Sequence, residues 1–173
     1  MNMHTATAKV ALMGFDIDGV MTDGSLWFGP EGDTLKSFNS QDGHGIKMLM
    51  EGGVEVAIIS GRSSPAVSHR ARNLGVSTVL LGVHDKRQAM KALAQSRGLD
   101  LDRCGYMGDD VVDLPVLRVC GFSAAPADAH HWVRQHVLWV SRFAGGRGAV
   151  REVCEVLLEA RGLLGPMLAS YLE

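Results

Sequence analysis

Four short apolar runs, each closed by residues able to do chemistry, constrain this chain more than any other feature. Val10-Ala-Leu-Met-Gly-Phe15 ends in Asp16-Ile-Asp18-Gly19. Val54-Glu-Val-Ala-Ile-Ile59 ends in Ser60-Gly61-Arg62. Val79-Leu-Leu81 is followed by Lys86, and Arg103-Cys-Gly-Tyr-Met107 by Gly108-Asp109-Asp110. Runs this short read as buried strands. Helical patterns separate them: residues 42–50, with Ile46, Leu49 and Met50 on one face, a helix opened by Ser64-Pro65, and one capped by Asp85. Strands alternating with helices predict an α/β fold, a doubly wound and mainly parallel sheet covered on both faces. Ligands of such sheets sit beyond the carboxyl ends of the strands. That rule brings Asp16, Asp18, Ser60, Lys86 and Asp109 to one edge.

The remaining pattern fits one domain over residues 1–173. Leu26-Trp27-Phe28 and Thr34-Leu35-Lys36-Ser37-Phe38 flank a turn, so residues 24–38 form a hairpin insertion. Residues 111–119 predict a helix despite Pro115, 121–124 a fifth strand, 127–134 a helix, 137–140 a strand and 149–160 the last helix. The polar N-terminus leads straight into the first strand. The tail, 163–173, is apolar without an obvious pattern.

Bulk properties exclude several classes. The net charge of -2 implies no general affinity for nucleic acid or an anionic membrane, and aromatics at 6% argue against base stacking. No apolar run approaches a membrane span, and no basic segment precedes an apolar leader. Cys104, Cys120 and Cys154 form no close pair and are odd in number, which suits a reducing compartment. The expectation is a soluble cytoplasmic protein.

Residue chemistry suggests roles. Two carboxylates at the end of a buried strand are costly unless something pairs with them. A small hard cation held by oxygen ligands, Mg²⁺, would do so, with Asp16, Asp18 and Asp109 as its residues. Asp16 could also attack phosphorus. Asp18, two residues on, could protonate a leaving alcohol and then take a proton from water. Ser60 and Gly61 would hydrogen-bond phosphoryl oxygens, and Lys86 would offset negative charge. Asp110 and Asp113 would brace Lys86 or a metal-bound water. Taken singly, each piece has a plainer reading: Ser60-Gly61 as a turn, Lys86 as one surface lysine, Gly108-Asp109-Asp110 as a helix cap. Their order along successive strands weighs against coincidence.

Asp16-x-Asp18, Ser60-Gly61, Lys86 and Gly108-Asp109-Asp110-x-x-Asp113 resemble the four motifs of the haloacid dehalogenase superfamily, in order. Within it, residues 16–24, Asp42-Gly-His-Gly-Ile46, Ser60-Gly-Arg62, residues 108–115 and Gly145-Gly-Arg-Gly-Ala-Val-Arg-Glu152 resemble 3-deoxy-D-manno-octulosonate 8-phosphate phosphatases. The likeness runs from about residue 9 to residue 161. It implies a Mg²⁺-dependent sugar phosphatase of lipopolysaccharide biosynthesis, with no large cap domain, a small hairpin and a homotetramer whose neighbours close each other's sites. Arg62 then becomes a candidate for the sugar carboxylate, because a guanidinium grips carboxylates in a fork. Arg151 and Thr22 are further substrate candidates.

Other features read blandly. Adjacent His130 and His131 do not face one way on a helix. The loop 145–148 lacks the Gly-Lys-Ser/Thr of a phosphate loop. His44 lies near the expected site. Trp27 and Phe28 on a hairpin suggest an interface or a cover over sugar. Two rivals remain: a phosphatase of a nonulosonate 9-phosphate, and a phospho-accepting signalling domain. The second has no need of an acid placed like Asp18. A silent homologue would be expected to lack Asp16 or Asp109, and both are present.

Overall fold

The computed structural model describes residues 3–173. The N-terminal expectation for residues 1 and 2 lies outside them. Residues Met3–Lys9 form a helix, α1, where the sequence suggested an irregular lead-in. Seven mostly polar residues show little periodicity, and the helix is held by burial of Ala6 and Thr7 and by packing on the last long helix. Strand β1 (Leu12–Phe15) follows, and then the turn Ile17–Met21. A two-stranded hairpin, β2 (Trp27–Gly29) and β3 (Gly32–Leu35), stands apart from the main sheet.

Helix α2 (Ser40–Glu51) starts earlier than its apolar pattern does, because the Asn39 side chain accepts the Gln41 and Asp42 N–H groups. Then come β4 (Glu55–Ser60), α3 (Pro65–Leu74), β5 (Thr78–Leu81) and α4 (Lys86–Ser96), the last capped by Asp85 on the Gln88 N–H. After β6 (Cys104–Met107) the expected helix 111–119 is cut down. It becomes a tight turn over Val111–Asp113 and a short α5 (Leu114–Leu117). Asp110 and Asp113 cap that turn reciprocally, and Pro115 can only sit in the first helical turn. The chain ends with β7 (Phe122–Ala125), α6 (His131–Arg134), β8 (Trp139–Val140), α7 (Ala149–Ala160) and α8 (Leu164–Ala169). The tail thus carries a helix that its sequence pattern did not announce.

The main sheet has six parallel strands in the order β5-β4-β1-β6-β7-β8. Side chains alternate between its faces. Met13, Phe15, Val56 and Ile58 pack with Ile46, Leu49, Val153 and Leu157 on one side. Leu12, Ala57, Ile59 and Tyr106 pack with Met90, Leu93 and Leu117 on the other. This is the doubly wound α/β arrangement that the alternating pattern predicts. Register fixes the site: Phe15 lies level with Ile58 on one neighbour and Met107 on the other. Residues 16, 60 and 109 therefore leave the sheet at the same edge.

Candidate active site

Asp16 is the residue on which the edge converges. Its N–H donates to the Met107 carbonyl at 3.0 Å, which ties the end of β1 to β6. Its Oδ1 accepts the Ile17 N–H at 2.7 Å, and its Oδ2 lies 2.7 Å from Lys86 Nζ. Lys86 also donates to Asp113 Oδ1 at 2.6 Å, and all three side chains are buried. Asp113 Oδ2 accepts the N–H groups of Asp109 and Asp110 at 3.1 and 3.3 Å. One fully buried carboxylate thus fixes both the lysine and the turn bearing the second acidic cluster.

Carboxylate oxygens of Asp16, Asp109 and Asp113 lie within 4.8 Å of one another. The sequence reading named Asp18 beside Asp16 and Asp109. The Asp18 carboxylate instead faces Lys36, at 2.5 Å, and Arg62 Nε, at 3.6 Å. Burial, then the neighbouring Asp113 charge, pushes the Asp16 carboxyl up to about 6 despite the pull of Lys86. Burial and the charges of Asp113, Asp16 and Asp110 push Asp109 up to about 8. Packed oxygens that resist ionising without a counter-charge are a donor set a hard divalent cation fits.

The path of the Asp16–Asp18 turn depends on two glycines. Gly19 takes φ +82, and a Cβ there would run into the Asp109 carboxylate. Gly145 packs so close to the Gly19 carbonyl that a methyl group would collide with it, while the Gly146 N–H donates to Val20 O at 2.9 Å. The glycine loop is a backbone seat for the Asp16–Asp18 turn, consistent with its lack of a phosphate-loop pattern. Its neighbour Arg147 reaches Asp23 at 3.5 Å.

A cavity of about 310 Å³ opens over this edge, lined by Asp16, Asp18, Gly61, Arg62, Lys86, Asp109 and Asp110 together with Val83, His84 and Val112. Ser60 lies beneath it, buried, with Oγ accepting the Arg62 N–H at 3.3 Å. Two sequence candidates lie elsewhere. Thr22 is buried in its own turn, donating to Ile17 O and accepting the Gly24 N–H. Arg151 Nε bonds Glu155 at 2.6 Å, and its N–H donates to Asp42. His44 meets the Tyr171 hydroxyl of the tail at 3.0 Å. Sequence reasoning missed Lys36, His84 and Val112. Lys36 follows a hairpin strand, and nothing in its spacing links it to Asp18. Exposed Val112, just past the second acidic cluster, was a legible signal.

A family profile described as haloacid dehalogenase-like hydrolase matches residues 82–152. The 3-deoxy-D-manno-octulosonate 8-phosphate phosphatase KdsC of Escherichia coli K12 is 41% identical over 156 residues, 90% of this chain and 83% of that protein. Its Yersinia pestis counterpart is 41% identical over 157 residues, 91% of this chain and 84% of that protein. Among solved structures, the Moraxella catarrhalis phosphatase in complex with magnesium, phosphate and KDO superposes with a TM-score of 0.95. It is 36% identical and covers 98% of this chain and 97% of that one. The cobalt-bound Haemophilus influenzae enzyme gives 0.93 at 38% identity, covering 97% and 99%. With these likenesses spread over nearly its whole length, the chain belongs to the 3-deoxy-D-manno-octulosonate 8-phosphate phosphatase family of haloacid dehalogenase-like hydrolases.

Proposed function

We propose that this chain is a Mg²⁺-dependent phosphomonoesterase that converts 3-deoxy-D-manno-octulosonate 8-phosphate to the free sugar acid and phosphate in lipopolysaccharide biosynthesis. One observation carries the reading. Asp16, Lys86 and Asp109 converge at one edge of the sheet, with the Asp18 carboxylate set apart from them in the same cavity. Asp16 and Asp109 would hold Mg²⁺, which would supply positive charge to offset that of the phosphoryl group.

The chain's own groups then have distinct tasks. An oxygen of Asp16 attacks phosphorus while the ester bond to the sugar oxygen breaks, and protonated Asp18 gives its proton to that oxygen. The products are the sugar alcohol and an aspartyl-phosphate. Water next loses a proton to the Asp18 carboxylate and attacks phosphorus. The bond to Asp16 breaks, and phosphate leaves. Ser60 and Gly61 hold phosphoryl oxygens, Lys86 offsets charge, and Asp113 holds Lys86 in place. Arg62, half-exposed at the rim, takes the sugar carboxylate. We leave Thr22 and Arg151 out of the substrate contacts, since both are engaged in bonds within the fold.

Residues 1–173 act as one domain with the hairpin as its small insertion. Trp27, Phe28 and Leu35, each at least 60% exposed, are the surface by which four copies assemble. The compartment is the cytoplasm, in keeping with three free cysteines. Among the described residues no helix is long and apolar enough to cross a membrane. The test is phosphate release from the octulosonate 8-phosphate and from a nonulosonate 9-phosphate, with Mg²⁺ and with chelator. The expected result is Mg²⁺-dependent turnover with the higher kcat/KM for the octulosonate. A preference for the nonulosonate would move the substrate and leave the chemistry standing.

A further inference from the structure

We propose that Lys36 is a positioning residue for Asp18, holding its carboxylate on the leaving-group side of the cavity and out of the Asp16, Asp109 and Asp113 cluster. The inference deepens the phosphatase reading above and rests on it.

Lys36 directly follows β3, at the base of the hairpin, and its side chain is only 1% exposed. An ammonium buried that deeply needs anions around it. Its Nζ lies 2.5 Å from Asp18 Oδ1, while the other Asp18 oxygen lies 3.6 Å from Arg62 Nε. The backbone at Asp18 is extended, with φ -71 and ψ 121, between Asp16 and left-handed Gly19. Asp18 is therefore only two residues from a carboxylate in the cation cluster, and its side chain is 21% exposed. Any divalent cation at Asp16 and Asp109 attracts this third carboxylate as well. A carboxylate drawn onto the cation is lost to proton transfer. Cations on the opposite side counter that pull: Lys36, buried and fixed, and Arg62, half-exposed and free to turn to substrate. The hairpin thus enters the chemistry through one side chain, besides its exposed apolar face.

The experiment is a double-mutant cycle of Lys36→Met and Asp18→Asn, with Lys36→Arg alongside and Mg²⁺ present throughout. Lys36→Met is expected to lower kcat on the octulosonate 8-phosphate by roughly 10- to 100-fold, within the range of a general acid, with KM nearly unchanged. Phosphoenzyme formation from p-nitrophenyl phosphate, whose leaving group needs little protonation, is expected to slow far less. Lys36→Arg recovers part of the loss. Adding Lys36→Met to Asp18→Asn costs nothing further, because the two act as one unit. In a crystal of Lys36→Met soaked in Mg²⁺, the Asp18 carboxylate is expected on the metal. A raised KM with kcat kept would overturn the proposal, as would losses that multiply in the double variant. Should Lys36→Met fail to fold, the cycle runs with Lys36→Gln, which keeps a polar head group but removes the charge that holds Asp18. A wild-type protein that prefers another sugar phosphate changes only the substrate, and the cycle on that ester still decides. If the wild type hydrolyses no ester, the phosphatase reading fails, and the position of Asp18 in the Mg²⁺-soaked crystal decides on Lys36 alone.

Discussion

Lys86 Nζ lies 2.7 Å from Asp16 Oδ2, with the two side chains 6% and 9% exposed. Burial alone would lower the lysine, but the Asp16 and Asp113 carboxylates outweigh it and hold Lys86 above its ordinary value. Removing one partner of a buried ion pair costs about 3–5 kcal/mol. Lys86→Met is therefore expected to lower the stability of the metal-free protein on that scale at neutral pH and to abolish turnover. Urea melts with and without Mg²⁺ check this, and a variant as stable as wild type in chelator would contradict it.

Asp16 and Asp109 give a pH signature. Both carboxyls are raised from 3.8, to about 6 and about 8. Between about pH 4 and 8 the folded protein holds protons that the unfolded chain has released, so stability falls as pH rises through that window. Mg²⁺ favours the ionised carboxylates and reverses the loss. The expected outcome in a thermal melt is a Tm gain from Mg²⁺ that is larger near pH 8 than near pH 5. A gain that does not vary with pH would show that these carboxyls are not what the cation meets.

Asp16→Asn keeps the side-chain shape and removes the oxygen proposed to attack phosphorus. The expected result is a folded protein with no measurable phosphoenzyme and no turnover, checked by acid quench with labelled substrate. Phosphate release near the wild-type rate would reject Asp16 as nucleophile.

Gly145 tests the backbone seat. Gly145→Ala forces a methyl group into the Gly19 carbonyl, which is main chain and cannot swing aside. Overpacking of this kind costs about 1–3 kcal/mol. Turnover is expected to fall more steeply than stability, because the displaced turn carries Asp16 and Asp18. Parallel denaturation and rate measurements separate the two effects.

The proposed assembly through the hairpin is open to a direct test. Trp27→Ser combined with Phe28→Ser is expected to shift light scattering from tetramer to smaller species. A wild-type monomer with full activity at assay concentration would refute the shared-site reading.

The parallel sheet and the edge at which the candidate residues meet were legible because a parallel sheet converts position in sequence into position at one edge. Asp16, Ser60 and Asp109 each follow an apolar run, and register does the rest. What escaped was set by contacts between distant segments. Lys36 meets Asp18 only after the hairpin folds back, and no periodicity encodes that. Thr22 is a substrate candidate by sequence, and its hydroxyl closes its own turn. The helix expected over 111–119 is cut down because Asp110 and Asp113 cap a tight turn over its first residues and Pro115 restarts the helix after it. Helix α1 and the tail helix have too few apolar repeats to announce themselves.

The strand that leads into Asp16 is made early and completed late. β1 lies between strands whose partner residues begin at Glu55 and Cys104, and its turn is seated by a glycine at position 145. On the ribosome, a nascent chain displays Asp16 and Asp18 long before Asp109 and Asp113 exist to share a cation with them. Abandoned translation products therefore carry Asp16 without the partners that gather around it in the folded chain. On the proposed reading, activity is then a property of the finished polypeptide, since a chain that stops before residue 145 lacks the backbone seat of the Asp16–Asp18 turn.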